Sequence, residues 1–330
     1  MRRRHSSALR TLAGVAILIA TRRTVSAQTG ITIGLEGGQE LLLPTGARGL
    51  GMAQAIVASG IGAEAILRNP ALIAHGPREV AFNIAQQANG ITVADATTSI
   101  VWPVPRVGAF ALSVRYLNQG DQQAVNDQQV VVGSIQFNGI VVGGTFAAQF
   151  GYKFAAGLTL KFLQLGSQCT GSCDIPPFPP RTAAIDFGVR YFLTKDSLIA
   201  IGASGLNLGL PLQVNDSPQA DPLPHRAVIG VAVTPKFSQL PKEAHVHGEV
   251  DMIKAISFGG PGFLFGGEIA WMDQYSARVG YQRNGGPSGS GPTFGVGFST
   301  GKLHIDFAQI FTDAGAGSGK PTFLSLRYVF

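Results

Sequence analysis

Period two is the feature that most narrows what this chain can become. Phe110, Leu112, Val114 and Tyr116 fall on one face of an extended segment, and Ala109, Ala111, Ser113 and Arg115 on the other. Ile185, Phe187, Val189 and Tyr191 alternate in the same way with Asp186, Gly188 and Arg190. Leu303, Ile305, Phe307 and Phe311 alternate with Lys302, His304 and Asp306. In the cleanest run Glu243, His245, His247, Glu249 and Asp251 share one face, opposite Ala244, Val246, Val250 and Met252. A strand sends successive side chains to opposite faces, so each segment carries one polar and one apolar surface. About 14 such segments follow residue 77, starting near 78, 95, 106, 139, 156, 183, 197, 225, 243, 262, 274, 291, 302 and 320. Turn residues separate them, and the long breaks at 118–130, 166–182 and 210–224 read as outer loops or excursions at strand ends.

The N-terminus tells where the chain goes. Arg2, Arg3, Arg4 and Arg10 precede a short apolar core at 11–20, and Val25-Ser26-Ala27 offers small residues for cleavage. Residues 1–27 thus read as a signal peptide, with an uncleaved anchor as the alternative; the apolar run is too short to span a bilayer as a helix. Residue 28 is Gln rather than Cys, which argues against a lipid-modified N-terminus. The formal charge of +6 comes from this segment, which holds six of the 25 basic residues and no acid. The remainder is balanced, which removes the electrostatic case for a nucleic-acid partner. No later stretch holds 18 consecutive apolar residues. An exported, weakly charged chain with 44 glycines and no spanning helix is left with one main way to meet a membrane, a closed β-barrel. The expected fold is all-β: about 14 antiparallel transmembrane strands over 77–330, preceded by an extension and short helical hatch within 28–76. There, 53–58 and 63–67 can form short helices, and Pro70 stops the second.

The polar strand faces then point into a lumen. Arg115, Asp186, Arg190, His245, His247, Glu249, Asp251, Glu268, Arg278 and Asp306 are expected to form an ion network there. His245 and His247 at i, i+2 also allow a zinc site or a proton relay, and neither metal nor cofactor is required by the pattern. No nucleophile-elbow motif occurs and no residue is assigned a catalytic role. Cys169 and Cys173 are the two cysteines, and in an oxidising compartment a small loop disulfide is expected. Pro176–Pro180 stiffens that loop or offers a partner surface. Asn207 and Gly209 shape a strand end.

Gly46, Arg48, Gly49, Gly51 and Met52 in GARGLGM, followed by Asn69, Pro70 and Ala71 in NPAL, resemble the N-terminal region of the PorV/PorQ branch of the FadL-like outer-membrane barrels. GLTLKFL at 157–163, IDFGVRYFL at 185–193, GLNLGLPL at 205–212, LPHRAVIGVAV at 223–233, GEVDMIKA at 248–255, ARVGYQ at 277–282 and the ending LSLRYVF continue the likeness in order. It covers roughly 40–330 and implies a 14-stranded outer-membrane barrel with a hatch inside. Gln54 and Leu72 depart from the family pattern, so the hatch's close backbone contacts can differ. The terminal pair Tyr328 and Phe330 resembles the signal by which the barrel-assembly machinery recognises outer-membrane barrels. The resemblance implies a protein of the bacterial outer membrane, surrounded by its lipid, that transports or holds hydrophobic small molecules. The alternative is a PorV-like component of type IX secretion that receives exported cargo.

Overall fold

The computed structural model describes residues 36–88, 92–173, 179–194, 196–213, 220–256, 259–284, 289–311 and 320–330. The expected signal peptide, the start of the extension and most of the Pro176–Pro180 run lie outside them. Fourteen strands follow in chain order. They are β1 (Glu79–Ala88), β2 (Thr92–Val104), β3 (Gly108–Val125), β4 (Val131–Phe150), β5 (Phe154–Gly171), β6 (Arg181–Phe192) and β7 (Ile199–Gly209). β8 (Arg226–Val233), β9 (Ala244–Ala255), β10 (Gly262–Trp271), β11 (Tyr275–Arg283), β12 (Gly291–Thr300), β13 (Leu303–Ile310) and β14 (Thr322–Val329) complete the set. Each pairs antiparallel with its sequence neighbour, and β1 pairs with β14, closing the barrel with Val80 opposite Tyr328 and Ile84 opposite Leu324.

Alternation decides the two faces. Phe82, Leu112, Val114, Phe187, Ile229, Phe265, Phe294 and Leu326 are among many large apolar side chains exposed on the outside. So continuous an apolar skin is intolerable in water and suits lipid. Closure leaves no sheet edge, so every strand N–H and C=O in that skin can find a neighbour. Turns at the rim holding Phe330 are mostly short, as at 105–107, 151–153, 272–274 and 301–302, and the longest connections, 210–225 and 311–321, lie at the other rim. In outer-membrane barrels the short turns face the periplasm.

Residues 36–76 run inside the barrel from the outer rim toward the periplasmic one. They hold 3-10 turns at Gln39–Leu42 and Pro70–His75 and single helical turns at Ala47–Gly51 and Gly62–Ala65. The wall meets this inner segment with glycines. A Cβ on Gly295 would lie 2.9 Å from the Cα of Gly51, one on Gly266 2.7 Å from the Met52 backbone oxygen, and one on Gly280 2.6 Å from the Met52 carbonyl carbon. Gly157 abuts Pro70 and Ala71, Gly188 abuts Asn69, and Gly202 abuts Val57. Register sets Gly157 opposite Gly188, Gly202 opposite Gly230 and Gly266 opposite Gly280, so much of the wall is a belt without side chains. The abundance of glycine follows from that close approach of backbones.

Several expectations are corrected. Residues 118–125 and 166–171, read as breaks, belong to β3 and β5, and β4 starts at Val131 rather than near 139. These three strands therefore rise above their neighbours as a flange. Residues 53–58 are not helical; the helical turn sits earlier, at Ala47–Gly51. Pro70 does not stop a helix but starts one, as its first residue, with Asn69 capping it through a hydrogen bond from the Ala71 N–H.

Candidate functional site

The lumen is built where the inner segment meets the polar strand faces. Arg48 extends from the Ala47–Gly51 turn and pairs with Glu268 at 3.1 Å. Arg278 bridges the same Glu268 at 2.5 Å and Asp306 at 2.6 Å, which ties β10, β11 and β13 to the inner segment. Burial works against the charge of Arg48, but Glu268 and Glu64 hold its guanidinium charged above the ordinary arginine range. Glu64 accepts the Gly49 N–H, and a Cβ on Gly46 would lie 2.7 Å from its carboxyl carbon. Burial, reinforced by Asp306, pushes the Glu64 carboxyl up.

β9 grips the middle of the inner segment by its backbone. Asp251 accepts the N–H groups of Ile56 and Val57, both at 3.1 Å, and Glu249 accepts that of Ala58 at 2.6 Å. The Ser59 hydroxyl also donates to Glu249. His247 continues the chain, with Nε2 2.8 Å from the Ser59 oxygen and Nδ1 3.1 Å from Thr234 Oγ1. Asn69 donates to the carbonyls of Val57 at 2.6 Å and Val189 at 3.0 Å, fixing the lower turn against β6.

The ten expected lumen groups thus do not form one network. Arg278, Glu268 and Asp306 form one cluster, and His247, Glu249 and Asp251 a second. Arg115 instead donates to the carbonyl of Leu43 at 3.0 Å. Asp186 pairs with Lys161 at 2.8 Å and accepts the Asn207 N–H at 2.7 Å, while Lys161 also reaches Asn207 Oδ1. Asn207 has φ 61° at an irregularity in the β6–β7 register, a conformation asparagine tolerates. Arg190 lies over the Phe192 ring at 4.6 Å, and among the described residues its Nε and Nη2 have no hydrogen-bond partner. His245 is not brought in at all: its side chain is 57% exposed at the periplasmic rim, 3.8 Å from Asp273. It shares the lumen-facing parity but lies past the end of the inner segment.

Other participants were missed. Glu79 is fully buried, accepts the Ala63 N–H at 2.6 Å and lies 3.6 Å from Arg327. Arg226 holds Glu36 through two contacts of 2.9 and 2.8 Å. Inward parity on β1 and β5 is the signal that could have found Glu79 and Lys161, but nothing local marks Glu36, Ser59 or Glu64. Cys169 and Cys173 are joined as a disulfide at the top of the flange. Among the described residues no group of three or more His, Cys, Asp or Glu side chains is placed to hold a metal.

A cavity of about 480 Å³ lies between Leu41–Thr45 of the inner segment and the outer ends of β7–β11. Leu41, Leu42, Leu43, Leu67, Leu206, Ile253 and Leu264 supply apolar wall, and Gln54, Glu64, Arg68, Asn207 and Gln282 supply polar groups. That size and mixture fit a small organic molecule.

The chain matches no protein-family model and no curated protein by sequence. Its structure is similar to the toluene transporter TbuX of Ralstonia pickettii, with a TM-score of 0.55 at 13% identity over 85% of this chain and 98% of that one. It is similar to the monoaromatic hydrocarbon channel CymD, with a TM-score of 0.56 at 14% identity over 88% and 98%. A FadL homologue of Pseudomonas aeruginosa gives 0.54 at 13% identity over 88% and 99%. The fold is that of a FadL-like barrel. Such low identities establish shared architecture only, and the PorV/PorQ branch gains no family match. A closed barrel of this kind, apolar outside and polar within, resides in the bacterial outer membrane.

Proposed function

We propose that this FadL-like barrel takes hydrophobic small molecules from the outer side, holds them in the 480 Å³ cavity and releases them past the inner segment. The carrying observation is the cavity, leucine-rich and placed at the outer ends of the strands, directly above the part of the inner segment that blocks the lumen. Similar structures named for toluene and monoaromatic hydrocarbons support this class of ligand.

The inner segment then acts as a two-part hatch. Residues 47–76 are its fixed floor, held by buried carboxylates and the glycine belt. Residues 36–45 are its upper strap, tied by Glu36 to Arg226, the Gly37 N–H to the Pro222 carbonyl, and Arg115 to the strap carbonyls. Movement of the strap opens the cavity without breaking the floor. No observation in the lumen favours the type IX alternative.

The test is binding and uptake of a neutral hydrophobic fluorophore such as N-phenyl-1-naphthylamine. Leu42→Trp adds volume on the strap side of the cavity and is expected to weaken binding about tenfold or more, as an overfilled pocket loses the better part of a ligand's apolar contact. Binding and uptake equal to wild type would overturn the assignment of the cavity.

A further inference from the structure

We propose that the seam where β1 meets β14 carries a docking site for an anionic glycerophospholipid of the periplasmic leaflet, with Arg78 as its phosphate-binding group and Trp102 and Phe330 as its platform. The Arg78 guanidinium carbon lies 3.4 Å from the centre of the Trp102 ring and 4.9 Å from that of Phe330. Tyr328 meets Phe330 edge-on at 5.3 Å. The Phe330 N–H donates to the Arg78 carbonyl at 2.9 Å, so backbone geometry as well as ring contact fixes the cluster.

Parity puts all these side chains outside. Glu79 and Val101 face the lumen and are fully buried, while Trp102, one residue further along β2, and Arg78, the exposed residue just before β1, are on the lipid side. Trp102 is 44% exposed and Phe330 52%. They stand at the end of the apolar skin beside the short turns, where a bilayer changes from acyl chain to headgroup. Tryptophan and tyrosine favour that level.

Stacking is what makes Arg78 more than a surface cation. A guanidinium laid face-on against an indole keeps its charge and leaves its N–H groups in the ring plane, around its edge. Those edge donors match the oxygens of a phosphate. Preorganisation by two rings removes much of the side-chain entropy that a free arginine loses on binding. Among the described residues no carboxylate is within ion-pair distance of the Arg78 side chain, because its neighbour Glu79 turns inward to Ala63 and Arg327.

The surrounding charge has the same sign. Arg106, in the turn after β2, and Lys302, in the turn before β13, sit on the same arc of rim. The Lys302 carbonyl accepts the Val329 N–H at 2.8 Å, which places that turn beside the seam. With Arg78, Arg106 and Lys302 together, the arc is positive. A basic arc at headgroup depth attracts anionic lipid. The acyl chains of such a lipid would lie along the outward side chains below it, Val80, Phe82 and Leu326.

The experiment uses the whole barrel in nanodiscs of phosphatidylcholine doped with brominated phosphatidylglycerol. Bromine quenches tryptophan on contact, and Trp271→Phe leaves Trp102 as the sole tryptophan reporter. Quenching is expected to show phosphatidylglycerol enriched about tenfold at Trp102 over its bulk fraction, the order set by the basic arc acting on its net negative charge, since the choline of phosphatidylcholine offsets the same phosphate. Arg78→Gln is expected to bring local and bulk fractions together, whereas Lys153→Gln, on a distant turn, is expected to leave the enrichment intact. Enrichment unchanged in Arg78→Gln, or equal for brominated phosphatidylcholine, would overturn the proposal. If Arg78→Gln does not fold, the wild-type barrel decides by salt: enrichment persisting at about 1 M salt, where screening acts within about 3 Å, would also overturn it.

Discussion

The glycine belt makes a quantitative prediction. Gly280→Ala adds one methyl group where a Cβ would lie 2.5 Å from the Ala53 nitrogen and 2.6 Å from the Met52 carbonyl carbon. Both are backbone atoms of the inner segment, so no side-chain rotation relieves the clash. Either β11 or the segment must move, and the closed barrel is the stiffer of the two. Overpacking of this kind costs about 1–3 kcal/mol. That cost falls on the docked hatch and not on the hatch released from the wall. The population of released hatch should therefore rise about five- to 150-fold. Gly144→Ala is the internal control, since a Cβ there meets nothing within 4 Å on the lipid-facing side of β4. The two native cysteines are bonded to each other, so a cysteine introduced at Ala55, a fully buried position, is the sole free thiol. Its maleimide labelling rate reports release of the hatch. Labelling of Gly280→Ala at the parent rate, or equal acceleration by Gly144→Ala, would refute the reasoning.

Three further outcomes are expected. Glu79→Ala removes the acceptor of the Ala63 N–H and leaves Arg327 without its carboxylate; a loss of about 3–5 kcal/mol should appear as a lower urea midpoint for the folded barrel. Asn69→Ala removes a helix cap and two buried carbonyl contacts, and should loosen the floor by about 2–4 kcal/mol, read as faster hydrogen exchange over 56–75 with the barrel strands unchanged. Partial burial of a side chain that still reaches solvent, with Arg190 adding to it, pushes the His75 imidazole down to about 4. Between the ordinary histidine range near 6.5 and about 4, a released hatch binds a proton that a docked one does not, so docking weakens as pH falls through that window and is unaffected above it. Labelling at position 55 should accelerate on acidification, and His75→Gln should flatten that part of the profile.

Where the sequence succeeded and where it failed have one physical basis. Lipid on one side and a polar interior on the other impose strict alternation, and alternation survives in the order of residues. That is why strand starts near 226, 244, 262, 275 and 291 were legible to within a residue or so. The pattern stops where lipid stops. In 118–125, 131–138 and 164–171 the outward positions include Asn118, Gln136, Gln164 and Gln168, so the strands continue while their signature disappears. Propensity likewise misplaced the first helical turn of the inner segment, which sits at Ala47–Gly51 rather than 53–58, although it marked the one at Gly62–Ala65.

Parity alone placed Glu249, Asp251, Glu268, Arg278 and Asp306 in the lumen, since a side chain on a closed sheet has only two directions available. What each would hold was decided by closure of the barrel. Asp251 meets Ile56 and Val57 across some 195 residues of chain, and Arg48 meets Glu268 across 220. His245 has the same parity as its neighbours and yet stays at the rim, because height along the barrel depends on strand tilt and on where the inner segment ends. Backbone donors carry no residue identity, so a carboxylate destined for a peptide N–H looks in sequence like one destined for an arginine; only the folded cylinder tells them apart.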